Sequence, residues 1–274
     1  MQHNTSMGKI ISICNQKGGT GKTTTTINLT SALLEYNKKI LLVDLDPQGN
    51  ATSGLGISKS EISKSVYEVL LNQVDVDEVI RKDVLIGLDV LPTNLNLTGA
   101  EIELVGVISR ETRLKKAIEK IRDRYDYVII DSPPSLGLLT LNALVASDSV
   151  LIPIQCEFYA LEGVSQLLNT INLIRDNLNL NLIIEGVLLT MADFRTNLTA
   201  EVINEIKSYF KDKVYSTIIP RNIRLSEAPS FGKPINLYDK HSIGAQKYAE
   251  LAREFLGEMV AVDNRNMAIQ PEGT

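Results

Sequence analysis

Two hydrophobic rhythms alternate along the chain. Short, nearly unbroken apolar runs at residues 10–13, 39–44, 88–91, 125–131, 149–154, 182–190 and 214–219 have the length of strands covered on both faces. Between them lie stretches with helical spacing: residues 24–36, a 110–123 segment with Leu114, Ile118 and Ile121 on one side, and a segment from 161 whose stripe is Leu161, Val164, Leu167, Leu168, Ile171 and Ile174. Residues 57–106 are the least regular, with short helix signals at 65–71, 77–81 and 96–105. A last helix is expected around 246–259, with Tyr248, Leu251, Phe255 and Met259 opposite Glu250, Glu254 and Glu258. Strands alternating with helices predict right-handed crossovers and an α/β fold: one doubly wound, mainly parallel twisted sheet flanked by helices. The expected organisation is a loose N-terminal segment at 1–8, a single domain at 9–260 and a loose tail at 261–274.

Composition narrows the class. A 274-residue chain with 44% hydrophobic and 22% charged residues is that of an ordinary globular protein. Its net charge of −5 excludes coating nucleic acid by bulk charge, so any such contact needs a local patch. The apolar runs are too short or interrupted to span a bilayer, and the polar start lacks a signal peptide's apolar core, which predicts a cytoplasmic protein. Cys14 and Cys156 sit in or beside strand-like runs without a C-x-x-C partner, and His3 and His241 are isolated, so buried thiols are expected rather than a metal cluster.

The first apolar run leads into Asn15-Gln16-Lys17-Gly18-Gly19-Thr20-Gly21-Lys22-Thr23-Thr24 and then a helix. Glycines let consecutive backbone N–H groups turn inward, and the helix start adds the positive end of its dipole, so the loop is built for phosphate. Lys22 can reach the β- and γ-phosphates of a nucleotide and the Thr23 hydroxyl can ligate Mg²⁺. Residues 39–44 end in Asp44-Leu45-Asp46-Pro47-Gln48-Gly49-Asn50, a polar loop at a strand's carboxyl end, where open α/β sheets place their chemistry. Pro47 splits the environments of Asp44 and Asp46, which suits different roles. The run 125–131 ends in Asp131, a carboxylate positioned to hold Mg²⁺ through water, followed by Ser132-Pro133-Pro134-Ser135.

The loop departs from the common spacing, with Gln16 where glycine is usual and an extra lysine at 17. K-G-G-T-G-K-T-T, together with D-x-D-P-Q-G-N, resembles the deviant P-loop of the ParA/MinD ATPases. The stretches 191–197 and 219–230 also look like the chromosomal ParA group, often called Soj, so the resemblance spans roughly 9–257. It implies a Mg²⁺-dependent ATPase in which Lys17 is the signature lysine reaching a partner subunit's phosphates, Lys22 acts with it, and Asp46 orients the attacking water. By the same resemblance Gly18, Gly19, Thr20, Gly21, Thr23 and Thr24 cradle the nucleotide and Asp44 supports the phosphate and Mg²⁺ region. Ser132–Ser135 would sense the γ-phosphate, Pro220 and Asn222 would contact adenine, and Arg195 and Arg224 would form a nonspecific DNA surface on an ATP-bound homodimer.

The local charge is compatible with that last role: Lys207, Lys211, Lys213, Arg221, Arg224, Lys233, Lys240 and Lys247 face only Asp212, Glu227 and Asp239 between 206 and 247. The implied cycle is slow ATP hydrolysis stimulated by a ParB-like centromere-binding protein, releasing the dimer from nucleoid DNA and positioning a chromosome or plasmid. Two alternatives stand beside it. A MinD-like membrane-cycling ATPase would need a basic terminal helix, against which the acidic side at Glu250, Glu254 and Glu258 argues, so no stable membrane association is expected. A non-catalytic, ATP-liganded DNA-binding regulator would carry a helix-turn-helix ahead of the P-loop, for which the sequence before Lys9 leaves no room.

Overall fold

The computed structural model describes residues 7–157 and 160–258. The segments expected to be loose lie outside these except for Met7 and Gly8, as do Phe158, Tyr159 and Met259. Eight strands form one sheet: β1 (Lys9–Ile13), β2 (Ile40–Asp44), β3 (Arg81–Leu85), β4 (Leu88–Leu91), β5 (Tyr127–Asp131), β6 (Ser149–Gln155), β7 (Ile183–Ala192) and β8 (Val214–Pro220). Their order is β3-β4-β2-β5-β1-β6-β7-β8, and every pairing is parallel except the β3–β4 hairpin at one edge. The apolar runs therefore become the interior of a doubly wound sheet, as their lack of alternation requires.

The helices are α1 (Lys22–Leu34), α2 (Asn50–Gly54), α3 (Val66–Leu70), α4 (Leu97–Glu103), α5 (Arg113–Glu119), α6 (Leu138–Ala146), α7 (Glu162–Asn177), α8 (Asn197–Phe210), α9 (Ile223–Glu227), α10 (Ile235–Tyr238) and α11 (Ile243–Phe255). Successive β2 residues point to opposite faces. Leu41 and Val43 pack with Leu114 and Ile118 of α5 and Leu139 and Ala143 of α6. Ile40 and Leu42 pack with Ile27 and Leu33 of α1 and Tyr248 and Leu251 of α11. A third cluster joins Ile152 and Ile154 of β6 to the α7 stripe Val164, Leu167, Ile171 and Ile174 and to Val202 and Ile206 of α8.

Three expectations are corrected. The helix signal at 77–81 is a short 3-10 turn, Val76–Glu78, capped by Asp75, and the chain then enters β3. That strand opens with the exposed residues Arg81, Lys82 and Asp83, so it carries no apolar signature. The 110–123 helix is broken into the 3-10 turn Arg110–Thr112, α5 and the 3-10 turn Arg122–Arg124, although Leu114, Ile118 and Ile121 are all fully buried as the spacing requires. In α11, Glu254 does not sit on a purely acidic outer face. Its carboxylate turns onto β8 and accepts the Ser216 and Thr217 N–H groups at 2.5 and 2.9 Å, satisfying donors at the sheet edge.

Candidate functional site

The central strand β1 lies between β5 and β6 and delivers the glycine-rich loop to the carboxyl end of the sheet. Asn15 pins the loop: its side chain donates to the Pro153 carbonyl at 2.7 Å and accepts the Lys17 N–H at 3.0 Å. The Thr190 hydroxyl donates to the Thr20 carbonyl at 2.9 Å, tying the same loop to β7. Gly19 and Gly21 adopt φ of 75° and 86°, a left-handed turn that other residues resist. Gly21 supplies no side-chain cap to α1, and the first turn of α1 contains no acid. The N–H groups at that helix start are thus left for an anion.

The two lysines of the loop go opposite ways. Lys22 is only 6% exposed, and its Nζ donates to the Lys17 carbonyl at 3.0 Å. Burial lowers its pKa from the usual lysine value, an effect opposed by Asp131. The Lys17 side chain stays 43% exposed at the rim and forms an ion pair with Glu157 beyond β6.

Asp131 ends β5 directly beside Asp44 at the end of β2. The Thr23 hydroxyl donates to Asp131 Oδ2 at 2.8 Å and the Thr26 hydroxyl to Oδ1 at 2.9 Å. Burial and then the neighbouring Asp44 push the Asp131 carboxyl up to about 8. Such a site favours an added positive charge. Among the described residues no group of three or more His, Cys, Asp or Glu could hold a metal by itself. A hydroxyl and a carboxylate fit Mg²⁺, which takes a few protein oxygens and completes its shell with phosphates and water.

Asp44 is fully buried, and its oxygens are occupied. Oδ2 accepts the Thr52 N–H at 2.7 Å and the Thr52 hydroxyl at 2.6 Å, while Oδ1 accepts the Asp46 N–H at 3.3 Å. It shapes the loop that carries Asp46, whose Oδ1 in turn accepts the Gln48 N–H at 2.9 Å.

Next to the loop, a cavity of about 150 Å³ is lined by Gly21, Thr24, Thr190, Met191, Ile219, Pro220, Arg221, Asn222, Leu225, Ser226 and Tyr248. Its wall is mostly apolar, with a few polar groups, which suits a flat aromatic base. Tyr248 of α11 is 1% exposed and shares a 3.2 Å hydrogen bond with the Thr25 hydroxyl, so α11 closes the cavity against α1. Met191 sits at φ 52°, an uncommon backbone setting for a methionine.

Ala192 and Pro220 are register partners at the ends of β7 and β8, so the turns bearing Arg195 and Arg224 leave the sheet side by side. Arg195 is bound by Asp193 through Nε at 2.8 Å and Nη2 at 2.6 Å, and this guanidinium holds the Asp193 carboxyl down to about 2. Arg224 pairs with Glu227 at 2.9 Å and lies 3.6 Å from Asp239. Both remain open to solvent, with side chains 85% and 55% exposed.

Lys22, Thr23 and Asp131 are thus brought together, and Thr24, Pro220 and Asn222 share one cavity with Gly21. Lys17 stands at the rim, and Arg195 and Arg224 lie on the neighbouring strand-end turns. Sequence reasoning missed Thr26, Thr52, Glu157, Thr190, Met191, Leu225, Ser226 and Tyr248. Of these, Thr26 lies one turn past Lys22 on the helix that the loop opens, and Met191, Leu225 and Ser226 lie within the stretches 191–197 and 219–230 that carry the resemblance.

Residues 8–184 match the family described as AAA domain. The chain is 62% identical over 248 residues to the sporulation initiation inhibitor protein Soj of Bacillus subtilis, an alignment covering 90% of this chain and 98% of that protein. It is 55% identical over 250 residues to the chromosome partitioning protein ParA of Myxococcus xanthus, covering 91% and 88%. Among solved structures, cobyrinic acid a,c-diamide synthase from Mycobacterium smegmatis with bound ATP analogue and magnesium superposes with a TM-score of 0.79 at 38% identity, covering 91% of this chain and 94% of that one.

Proposed function

Because the chain belongs to the ParA/Soj family of partition ATPases, we propose that it is a nucleotide-driven DNA-binding switch that positions a chromosome or plasmid. The observation that carries this reading is the divergence of the two loop lysines: Lys22 is buried over its own loop, while Lys17 stands at the rim where a second copy's phosphates could be reached. In this account two chains close face to face over two ATP molecules, each Lys17 exchanging Glu157 for the partner's nucleotide. The base would occupy the cavity that Pro220 and Asn222 line. The solved relative holding an ATP analogue and magnesium supports the choice of ligands.

Thr23 and Asp131 are the residues that would hold Mg²⁺, and when bound the ion would neutralise phosphate charge. The chain's own groups do the rest. The α1 N–H groups and Lys22 hold the phosphates, Asp46 orients the attacking water, and the Asp44–Thr52 bonds hold the Asp46 loop in place. Dimerisation presents two copies of Arg195 and Arg224 to one duplex, and two weak sites joined in one body bind far more strongly than either alone. Hydrolysis, stimulated by a ParB-like protein, separates the copies and frees the DNA, so the cytoplasmic protein resides on the nucleoid only in its ATP form.

Sizing chromatography of the Asp46→Ala variant tests the reading. It should elute as a dimer with ATP and as a monomer with ADP. A single elution position in both nucleotides overturns it.

A further inference from the structure

The turn that lines the cavity also carries Arg224. Asn222 is the N-cap of α9, and its Oδ1 accepts the backbone N–H of Arg224 at 2.8 Å. A backbone N–H can only donate, so this bond fixes which way the amide points. The oxygen faces Arg224, and the NH₂ group is the one left for the cavity that Asn222 lines. One side chain therefore has two separable duties: its oxygen starts the turn, and its NH₂ is available to an acceptor nitrogen of a base. Leu225 and Ser226 of the same turn also line the cavity. The Arg221 N–H donates to the Ala192 carbonyl at 3.0 Å, so the turn hangs from the β7–β8 strand ends.

The direction of Arg224 depends on that start. Its Nη1 meets Glu227 Oε2 at 2.9 Å, and Tyr238 donates to the same carboxylate at 3.2 Å, so the guanidinium is set within the geometry of α9 and α10. Without the cap the Arg224 N–H loses its partner, and a five-residue helix has little else to fix its entry.

We propose that Asn222 is a positioning residue for DNA binding as well as a base contact: its side-chain oxygen sets the α9 turn that aims Arg224, independently of what its NH₂ group does in the cavity. This rests on the reading of the cavity as the base site and of Arg224 as a phosphate contact. Serine and alanine at 222 separate the duties, because serine keeps a capping oxygen but cannot reach the base, and alanine keeps neither.

The test compares the wild type, Asn222→Ser and Asn222→Ala at saturating ATP and Mg²⁺, with dimer content read by sizing and binding of a short duplex of arbitrary sequence read by fluorescence anisotropy. Both variants should need more ATP than the wild type to reach half-saturation. At saturation Asn222→Ser should hold DNA within about twofold of wild type, and Asn222→Ala about fivefold more weakly at equal dimer content. Hydrogen exchange at the Arg224 amide should be protected in the serine variant and fast in the alanine variant, a readout that does not need DNA. Equal DNA binding by the two variants, whether both strong or both weak, or a protected Arg224 amide in Asn222→Ala, overturns the inference. If the wild type itself holds no DNA with ATP, the reading of the function falls, and this falls with it.

Discussion

The Thr23 hydroxyl donates to Asp131 Oδ2 at 2.8 Å across 108 residues of sequence, joining the start of α1 to the end of β5. In the proposed cycle these two side chains are the ones that would hold Mg²⁺, which would neutralise phosphate charge. Asp131→Ala should weaken nucleotide binding in the presence of Mg²⁺ by about tenfold to a hundredfold while leaving the weaker binding in EDTA nearly unchanged. Isothermal titration with and without Mg²⁺ reads the difference. Equal losses in both conditions would remove Asp131 from the metal's surroundings.

The nucleotide-free protein should lose stability as pH rises. Burial raises Asp131 to about 8 and Asp44 to about 6, both above the unfolded carboxylate value of 3.8. The folded state therefore holds extra protons between those limits, so stability present near pH 4 is lost through pH 6 and then pH 8. Melting in EDTA between pH 5.5 and 9 should show the fall, and Asp131→Asn should flatten its upper part. A melting temperature that climbs through that window contradicts the assignment.

Lys17→Ala should keep nucleotide binding by the single chain, because Lys22 and the α1 N–H groups remain, yet fail to dimerise with ATP. Glu157→Gln removes the carboxylate that holds Lys17 and should lower the ATP concentration needed for half-maximal dimer several-fold. Light scattering measures both. A dimer that survives Lys17→Ala takes Lys17 out of the interface.

Asp46→Ala should cut ATP turnover by about a hundredfold or more while the dimer persists. Single-turnover release of phosphate checks this, and unchanged turnover assigns the water to another group.

Much of this site could be read from the chain because its proposed phosphate end is local: the loop, Lys22 and Thr23 are consecutive, and Asp131 closes an apolar run that reads as a buried strand. The cavity was half visible. Pro220 and Asn222 came through resemblance, but Thr190, Met191 and Tyr248 meet them only through the β7–β8 register and the packing of α11 on α1, which no spacing encodes. Acidic residues were the least legible. Asp44 turns inward to Thr52, and Glu254 turns onto the β8 N–H groups, although both fit a solvent or phosphate-facing role by position alone. β3 escaped notice because an edge strand beginning Arg-Lys-Asp has only its last residues against the core.

Retention of duplex DNA by the wild-type protein, measured by anisotropy in ATP and in ADP at the same magnesium and salt, bears most directly on the switch. Binding should be tight and salt-sensitive with ATP and should disappear with ADP and with Arg224→Ala. DNA held equally well in both nucleotides contradicts the switch.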